Sequence, residues 1–129
     1  MSTTEKLTYR PRLVFAYVDS AHAAQCSRFL RRQGWEVHLV TSAEQVHQLV
    51  QELNPQVVVL DLDLPDESGW LAAAKILLKN ADRRFILTCQ QVTDQNRDWA
   101  ADLGTAIIAR EDGPAALAQE IQSHLAQAV

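Results

Sequence analysis

The stretch "VVVLDLDLPDESGW", residues 57–70, decides how this chain folds. Four apolar residues, Val57 to Leu60, run straight into Asp61. A short unbroken apolar run closed by turn residues is the pattern of a strand covered on both faces. Asp63, Pro65, Asp66 and Glu67 follow as a polar loop with a bend, and Gly69 opens a helix. A charge at the end of a buried strand must react, bind a metal or bond the loop it begins.

Outward from this stretch the same kind of run recurs. "LVFAYV" (13–18), "VHLV" (37–40), "FIL" (85–87) and "AIIA" (106–109) read as further strands. Helical patterns fill the gaps. Cys26, Phe29 and Leu30 share one side of a first helix, with Arg28, Arg31 and Arg32 largely opposite and Gly34 at its end. Val46, Leu49, Val50 and Leu53 form one apolar face of a second, and "TSAE" (41–44) is its capping box. A third helix runs from Gly69 to about Lys79, with Leu71, Ala74 and Leu78 expected inward. A fourth lies between Thr93 and Gly104, anchored by Trp99 and Leu103. A fifth has Pro114 in its first turn and Leu117, Ile121 and Leu125 along its core face.

Strands and helices in strict alternation imply right-handed βαβ units and a parallel sheet with helices on both faces. Five units are too few for the eight of a closed α/β barrel. The expected fold is therefore an α/β three-layer sandwich, (βα)5, with its sheet in the order 2-1-3-4-5. Residues 1–11 read as a flexible N-terminal tail and 12–129 as the domain, which is expected to stand alone.

Bulk properties exclude several classes. At 129 residues the chain makes one domain with a core, and 47% apolar with 22% charged residues is ordinary for a globular protein. A net charge of −4 argues against nucleic acid or an anionic membrane as partner. No run approaches the roughly 20 apolar residues of a membrane span, and "MSTTEKLTYRPR" has no secretory h-region. Cys26 and Cys89 fit neither a disulfide framework nor a metal cluster, so they read as small buried hydrophobes in a cytoplasmic protein. His22, His38, His47 and His124 read as surface or partly buried imidazoles, none at a metal-ligating spacing. A glycine-rich phosphate loop, a G-x-G-x-x-G turn and a nucleophile elbow are all absent, so an enzyme is not expected.

In open parallel sheets the ligand crevice lies outside the carboxyl ends of the strands, where strand order reverses. The strand-end residues there are Tyr17, Val18 and Asp19; Asp61; Thr88; and Arg110 and Glu111. Here the chain resembles the response-regulator receiver domains, of flavodoxin-like fold. "VVVLDLDLPDESGW" looks like their phosphoacceptor segment. "FILTC" (85–89) is similar to their fourth strand ending in a hydroxyl residue. "GWEV" (34–37) matches the lead-in to strand two, and "LGTAIIA" (103–109) matches the glycine before strand five.

The resemblance implies phosphorelay signalling. A histidine kinase or phosphotransfer protein would pass a phosphoryl group to Asp61, with Thr88 taking one phosphoryl oxygen. Mg²⁺ would be held by Asp61, by an acidic pair after strand one and by the backbone carbonyl of Asp63. A lysine after strand five would take another oxygen, and a strand-five aromatic would report the state to a downstream protein.

The sequence departs from that pattern. Tyr17 and Val18 stand where the acidic pair belongs, and Asp19 falls one position later. Counting from Gly104 puts Glu111 at the lysine position, and a one-residue deletion gives Arg110 instead. No proline follows, and the aromatic position is Ile108. Mg²⁺ prefers octahedral oxygen ligands, so only weak binding by Asp19, Asp61 and Asp63 is expected.

Asp61 thus has two readings, an impaired phosphoacceptor or a cap for its own loop. Thr88 has two, a phosphoryl ligand or a hydroxyl bonded to local backbone. Tyr17 either fills the metal cavity, its hydroxyl on Asp61 or Thr88, or is an ordinary tyrosine at the core's edge. Asp63, Asp66 and Glu67 read as solvated loop acids. A polar outer face, Asp94, Arg97, Asp98, Gln119, Gln122 and Gln127, suits a transient contact, hence a monomer or weak homodimer. A contact module of a two-component pathway is the leading expectation, and a scaffold that never sees phosphate is the alternative.

Overall fold

In the computed structural model, which describes residues 10–126, five strands and five helices alternate. They are β1 (Arg12–Ala16), α1 (Ser20–Arg32), β2 (Glu36–Val40), α2 (Ala43–Leu53), β3 (Val57–Asp61), α3 (Gly69–Lys79), β4 (Phe85–Cys89), α4 (Asp94–Asp102), β5 (Ile107–Ala109) and α5 (Gly113–Ala126). All strand pairs are parallel and the sheet order is β2-β1-β3-β4-β5, as the alternation predicts. The tail assigned to residues 1–11 lies largely outside the described residues, as does Gln127. From Pro11 onward the backbone is tied down, its carbonyl accepting the Glu36 amide at 2.8 Å.

Side chains along a strand alternate between faces, and here both faces are apolar. Val14, Ala16, Val58, Leu60, Phe85 and Leu87 pack one way, against Ala43 and Val46 of α2, Ala72, Ala73 and Ile76 of α3, and Ala100 of α4. Leu13, Phe15, Val57, Val59, Ile86 and Ile108 pack the other way, against Cys26 and Leu30 of α1 and Leu117, Ala118 and Ile121 of α5. Every residue of β3 and β4 is buried, so the strand that ends in Asp61 runs through the middle of the molecule.

Three local expectations fail. In α3 the buried face is Gly69, Ala72, Ala73 and Ile76, while Leu71 is 50% and Leu78 87% exposed. Those small residues let the helix approach the sheet closely, and that closeness, rather than side-chain size, sets which face turns in. Trp99 is not a buried anchor. It is 46% exposed and packs edge-on against Trp70 at 5.6 Å, while Ala100 takes the core position. The α2 cap sits one residue later than "TSAE" suggests: Ser42 accepts the Gln45 amide at 3.2 Å, and Gln45 Oε1 accepts the Thr41 amide at 3.0 Å.

Candidate functional site

Parallel pairing places Asp61 beside Thr88 at the carboxyl ends of β3 and β4. Asp61 is 1% exposed and Thr88 is fully buried. An ionised carboxylate taken out of water is costly unless it is paired and hydrogen-bonded. Asp61 meets both conditions. Its Oδ1 accepts from the Asp63 amide at 3.0 Å and from Arg110 Nη2 at 2.9 Å. Its Oδ2 accepts from Thr88 Oγ1 at 3.1 Å and from Arg110 Nε at 2.8 Å. Arg110 therefore grips the carboxylate with two parallel bonds, the strongest and most directional ion-pair geometry available to a protein. Its Nη2 also reaches Asp63 Oδ2 at 3.2 Å.

Arg110 arrives from a 3-10 turn, Arg110–Asp112, directly after β5. The turn is fixed by the Ala109 amide donating to Asp112 Oδ2 at 3.2 Å. The Arg110 side chain is only 16% exposed, and its hydrogen bond to Asp61 is the main force raising its pKa despite burial. Glu111 is exposed on the rim of an open cleft of about 530 Å³ that Arg110 also borders.

Asp19 borders the same cleft but is otherwise engaged. Its Oδ1 accepts from the Ala21 and His22 amides at 2.9 and 3.1 Å, capping α1. The donor set does not suit Mg²⁺. A guanidinium already stands within hydrogen-bonding distance of Asp61 and Asp63, and a divalent cation cannot share that position with it. Among the described residues no group of three His, Cys, Asp or Glu side chains is placed to hold a metal ion.

Of the residues singled out in the sequence, the structure joins Asp61, Thr88, Arg110 and Asp63 and leaves Asp19 at its cap. The Thr88 hydroxyl bonds Asp61 itself rather than local backbone. Tyr17 is the ordinary core-edge tyrosine: it packs on the α1/α5-side cluster, and among the described residues no hydrogen bond links its hydroxyl to Asp61 or Thr88. Ile108 is buried in the same cluster.

Two of the loop acids expected to be solvated also hold structure together: Asp66 is exposed, as expected, and Glu67 is half-buried. Asp66 accepts from the Ala43 and Glu44 amides at 2.8 and 3.0 Å, capping α2 from a distant loop. Glu67 bonds His47 Nε2 at 3.0 Å and also pairs with Lys75. These bonds hold the carboxyls of both acids below their usual range. They tether the β3–α3 loop to α2, and nothing local in the sequence signals contacts that span some twenty residues.

His22 is buried rather than at the surface. Its ring meets Phe15 edge-on at 5.8 Å, and Nε2 lies 3.4 Å from Cys26 Sγ. Burial is the main cause of its lowered pKa. Asp19 and Asp61 oppose that shift and Arg110 adds to it. Because the folded protein binds this proton less readily than the unfolded chain, the unfolding free energy falls as pH drops below about 6.5. His22→Phe, which keeps the ring contact, is expected to flatten that slope in urea melts between about pH 7 and pH 5; an unchanged slope would place the titrating group elsewhere. Burial also pushes the Cys26 thiol up to about 11 and raises that of Cys89, consistent with inert core cysteines.

The family model of the response regulator receiver domain matches residues 19–122. Among solved structures, a CheY-like response regulator receiver domain protein from Methanospirillum hungatei JF-1 is 19% identical, with a TM-score of 0.83 over 93% of this chain and 97% of that one. The non-phosphorylated HemR receiver domain from Leptospira biflexa is 23% identical, with a TM-score of 0.76 over 92% and 94%. The BeF3-activated N-terminal receiver domain of RstA from Klebsiella pneumoniae is 20% identical, with a TM-score of 0.78 over 88% and 97%. Among curated proteins none matches this chain. β1 lies outside the matched residues and joins the fold through its pairing with β2 and β3. With a parallel sheet in the order 2-1-3-4-5, a strand-end Asp beside a strand-end Thr, and a family match over most of its length, the chain belongs to the response regulator receiver domains of two-component signalling.

Proposed function

We propose that this domain is a cytoplasmic protein–protein contact module of a two-component pathway in which Arg110, not Mg²⁺, neutralises Asp61, so that phosphoryl acceptance is impaired. The bidentate Arg110–Asp61 pair supports this reading. For Asp61 to accept a phosphoryl group, one carboxylate oxygen must attack phosphorus in line with the leaving atom. Both oxygens are instead occupied by donors, and the approach is charge-neutral only while the guanidinium stays. Once one bond opens, Arg110 remains near enough to bind a transferred phosphoryl oxygen, the part a lysine plays in the family. The partners of such a module are a histidine kinase or phosphotransfer protein upstream and a protein downstream. Two buried, unpaired cysteines suit a reducing compartment.

Intact-mass spectrometry after incubation with acetyl phosphate tests the reading. The expected result is a small fraction of chains gaining one phosphoryl group, unchanged by Mg²⁺, and none in Asp61→Asn. Complete, Mg²⁺-dependent modification would show that metal displaces the guanidinium and that the pocket works as an ordinary receiver. No modification at all would leave a phosphate-independent scaffold as the better account.

A further inference from the structure

We propose that the cleft between α3 and α4 is a docking site for an arginine side chain on a basic segment of a partner protein. The cleft, of about 340 Å³, is lined by Trp70, Trp99 and Leu103 with one carboxylate, Asp102. The proposal rests on the reading of the domain as a contact module, while neither Asp61 nor phosphate takes part in it.

Trp99 leaves 46% of its surface in water, although tryptophan gains more than most side chains from burial. The core position beside it is filled by Ala100, so the sheet has no use for this indole. Trp70 holds it instead, its ring at 85° to that of Trp99 with the centroids 5.6 Å apart. Two indoles at right angles form a corner, and Leu103 extends its apolar wall. Tryptophans left at the surface in this way are enriched at protein interfaces.

The rim of the corner is acidic. Asp102 is the last residue of α4, and Asp98 lies one turn before it on the same side of the helix. Like charges at that spacing repel, and Asp102 stands at the helix C-terminus, where the dipole disfavours negative charge. The last turn of α4 has no basic residue, and neither carboxylate has an ion-pair or hydrogen-bond partner among the described residues. An arrangement that lowers stability with nothing local to offset it suits a site that a partner completes.

Arginine meets both the aromatic wall and the acidic rim. Its flat guanidinium stacks on an indole face, its N–H fork reaches a carboxylate, and its aliphatic stem covers Leu103. An apolar side chain would cover the indoles but leave Asp102 without a counter-charge. An anionic membrane would meet two carboxylates on a chain of net charge −4. A second copy docked face to face through this patch would set the same acids against each other.

Titration of the full chain with a capped Leu-Arg-Leu tripeptide, followed by ¹H–¹⁵N NMR, tests the site. The indole N–H resonances of Trp99 and Trp70 and the amide of Asp102 are expected to shift most and to saturate. Asp102→Asn, at an exposed position, should weaken binding about threefold and Trp99→Leu about fivefold, the worth of one exposed ion pair and one cation–π contact. Peptides with citrulline or norleucine in place of arginine should bind more weakly than the parent. The proposal is overturned by shifts that never saturate, by undiminished binding in Asp102→Asn, or by either neutral peptide matching the parent. Shifts centred on Asp19 and Glu111 instead would also overturn it, since the peptide would then be reading the other acidic cleft. So would shifts of Trp99 that grow with protein concentration alone, which assign the patch to a second copy. A blue shift of tryptophan emission on phosphatidylserine vesicles would assign it to a membrane and overturn it equally. Acetyl phosphate reads Asp61 and the peptide reads Trp99, so either reading can fail while the other stands.

Discussion

Arg110→Met lowers the unfolding free energy by about 3 kcal/mol at neutral pH, the low end of what breaking a buried ion pair costs. The substitution keeps most of the side chain's volume and removes only its donors. Asp61, 1% exposed, then retains the Asp63 amide and the Thr88 hydroxyl but loses its counter-charge and two of its four hydrogen bonds. The cost sits at the low end because Arg110 borders an open cleft, through which water can reach the vacated space. The double variant Asp61→Asn/Arg110→Met should recover most of the loss, since a neutral amide needs no counter-ion. Urea melts of the wild type, both single variants and the double variant close the cycle, and a coupling below about 1 kcal/mol would mean the pair behaves as an exposed one. The same cycle bears on signalling. A pair that strongly coupled is a resting state that an incoming phosphoryl donor must open.

Gly69→Ala is the second large effect. A Cβ at Gly69 would lie 2.6 Å from the Asp61 carbonyl oxygen and 2.8 Å from the Leu62 Cα, both backbone atoms that cannot swing aside. The Gly69 amide also donates to the Leu62 carbonyl at 3.0 Å, so the loop closes on itself at this point. Overpacking a tight site costs about 1–3 kcal/mol, and backbone neighbours place this case near 3. Relief requires α3 to move off the end of β3, which displaces the peptide that carries Asp61. The midpoint of a urea melt should fall accordingly. The Asp63 amide resonance, which reports the bond to Asp61 Oδ1, should shift more than amides at the far ends of the strands. A melt unchanged within about 0.5 kcal/mol would show that the loop gives way freely.

Much of the architecture was legible because it rests on short-range patterning. Unbroken apolar runs become buried strands, and Gly34 and Gly104 follow helix ends at positive φ, where a glycine is at home. Amphipathic periodicity failed in α3, where alanine and glycine are too small to announce a core face and leucine is large enough to mislead, and in α4, where Ala100 rather than Trp99 takes the core position.

The site divides along the same line. Asp61 was legible from its place at the end of an apolar strand, and Thr88 from the end of the next. The partner of Asp61 was not. Counting residues from Gly104 leaves Arg110 and Glu111 as rivals of opposite charge for one position. A 3-10 turn braced by Asp112 turns Arg110 inward and leaves Glu111 in solvent. Nor does any spacing show that Asp19 spends its carboxylate on a helix cap, or that Asp66 and Glu67 reach back to α2. The sequence by itself determined the alternation of elements, the parallel sheet and the carboxylate at its centre, because strand burial and helix periodicity are local properties of the chain. Only the tertiary structure decided what neutralises that carboxylate, because Arg110 stands 49 residues away and a hydrogen bond is settled by ångström-scale placement that residue order does not encode.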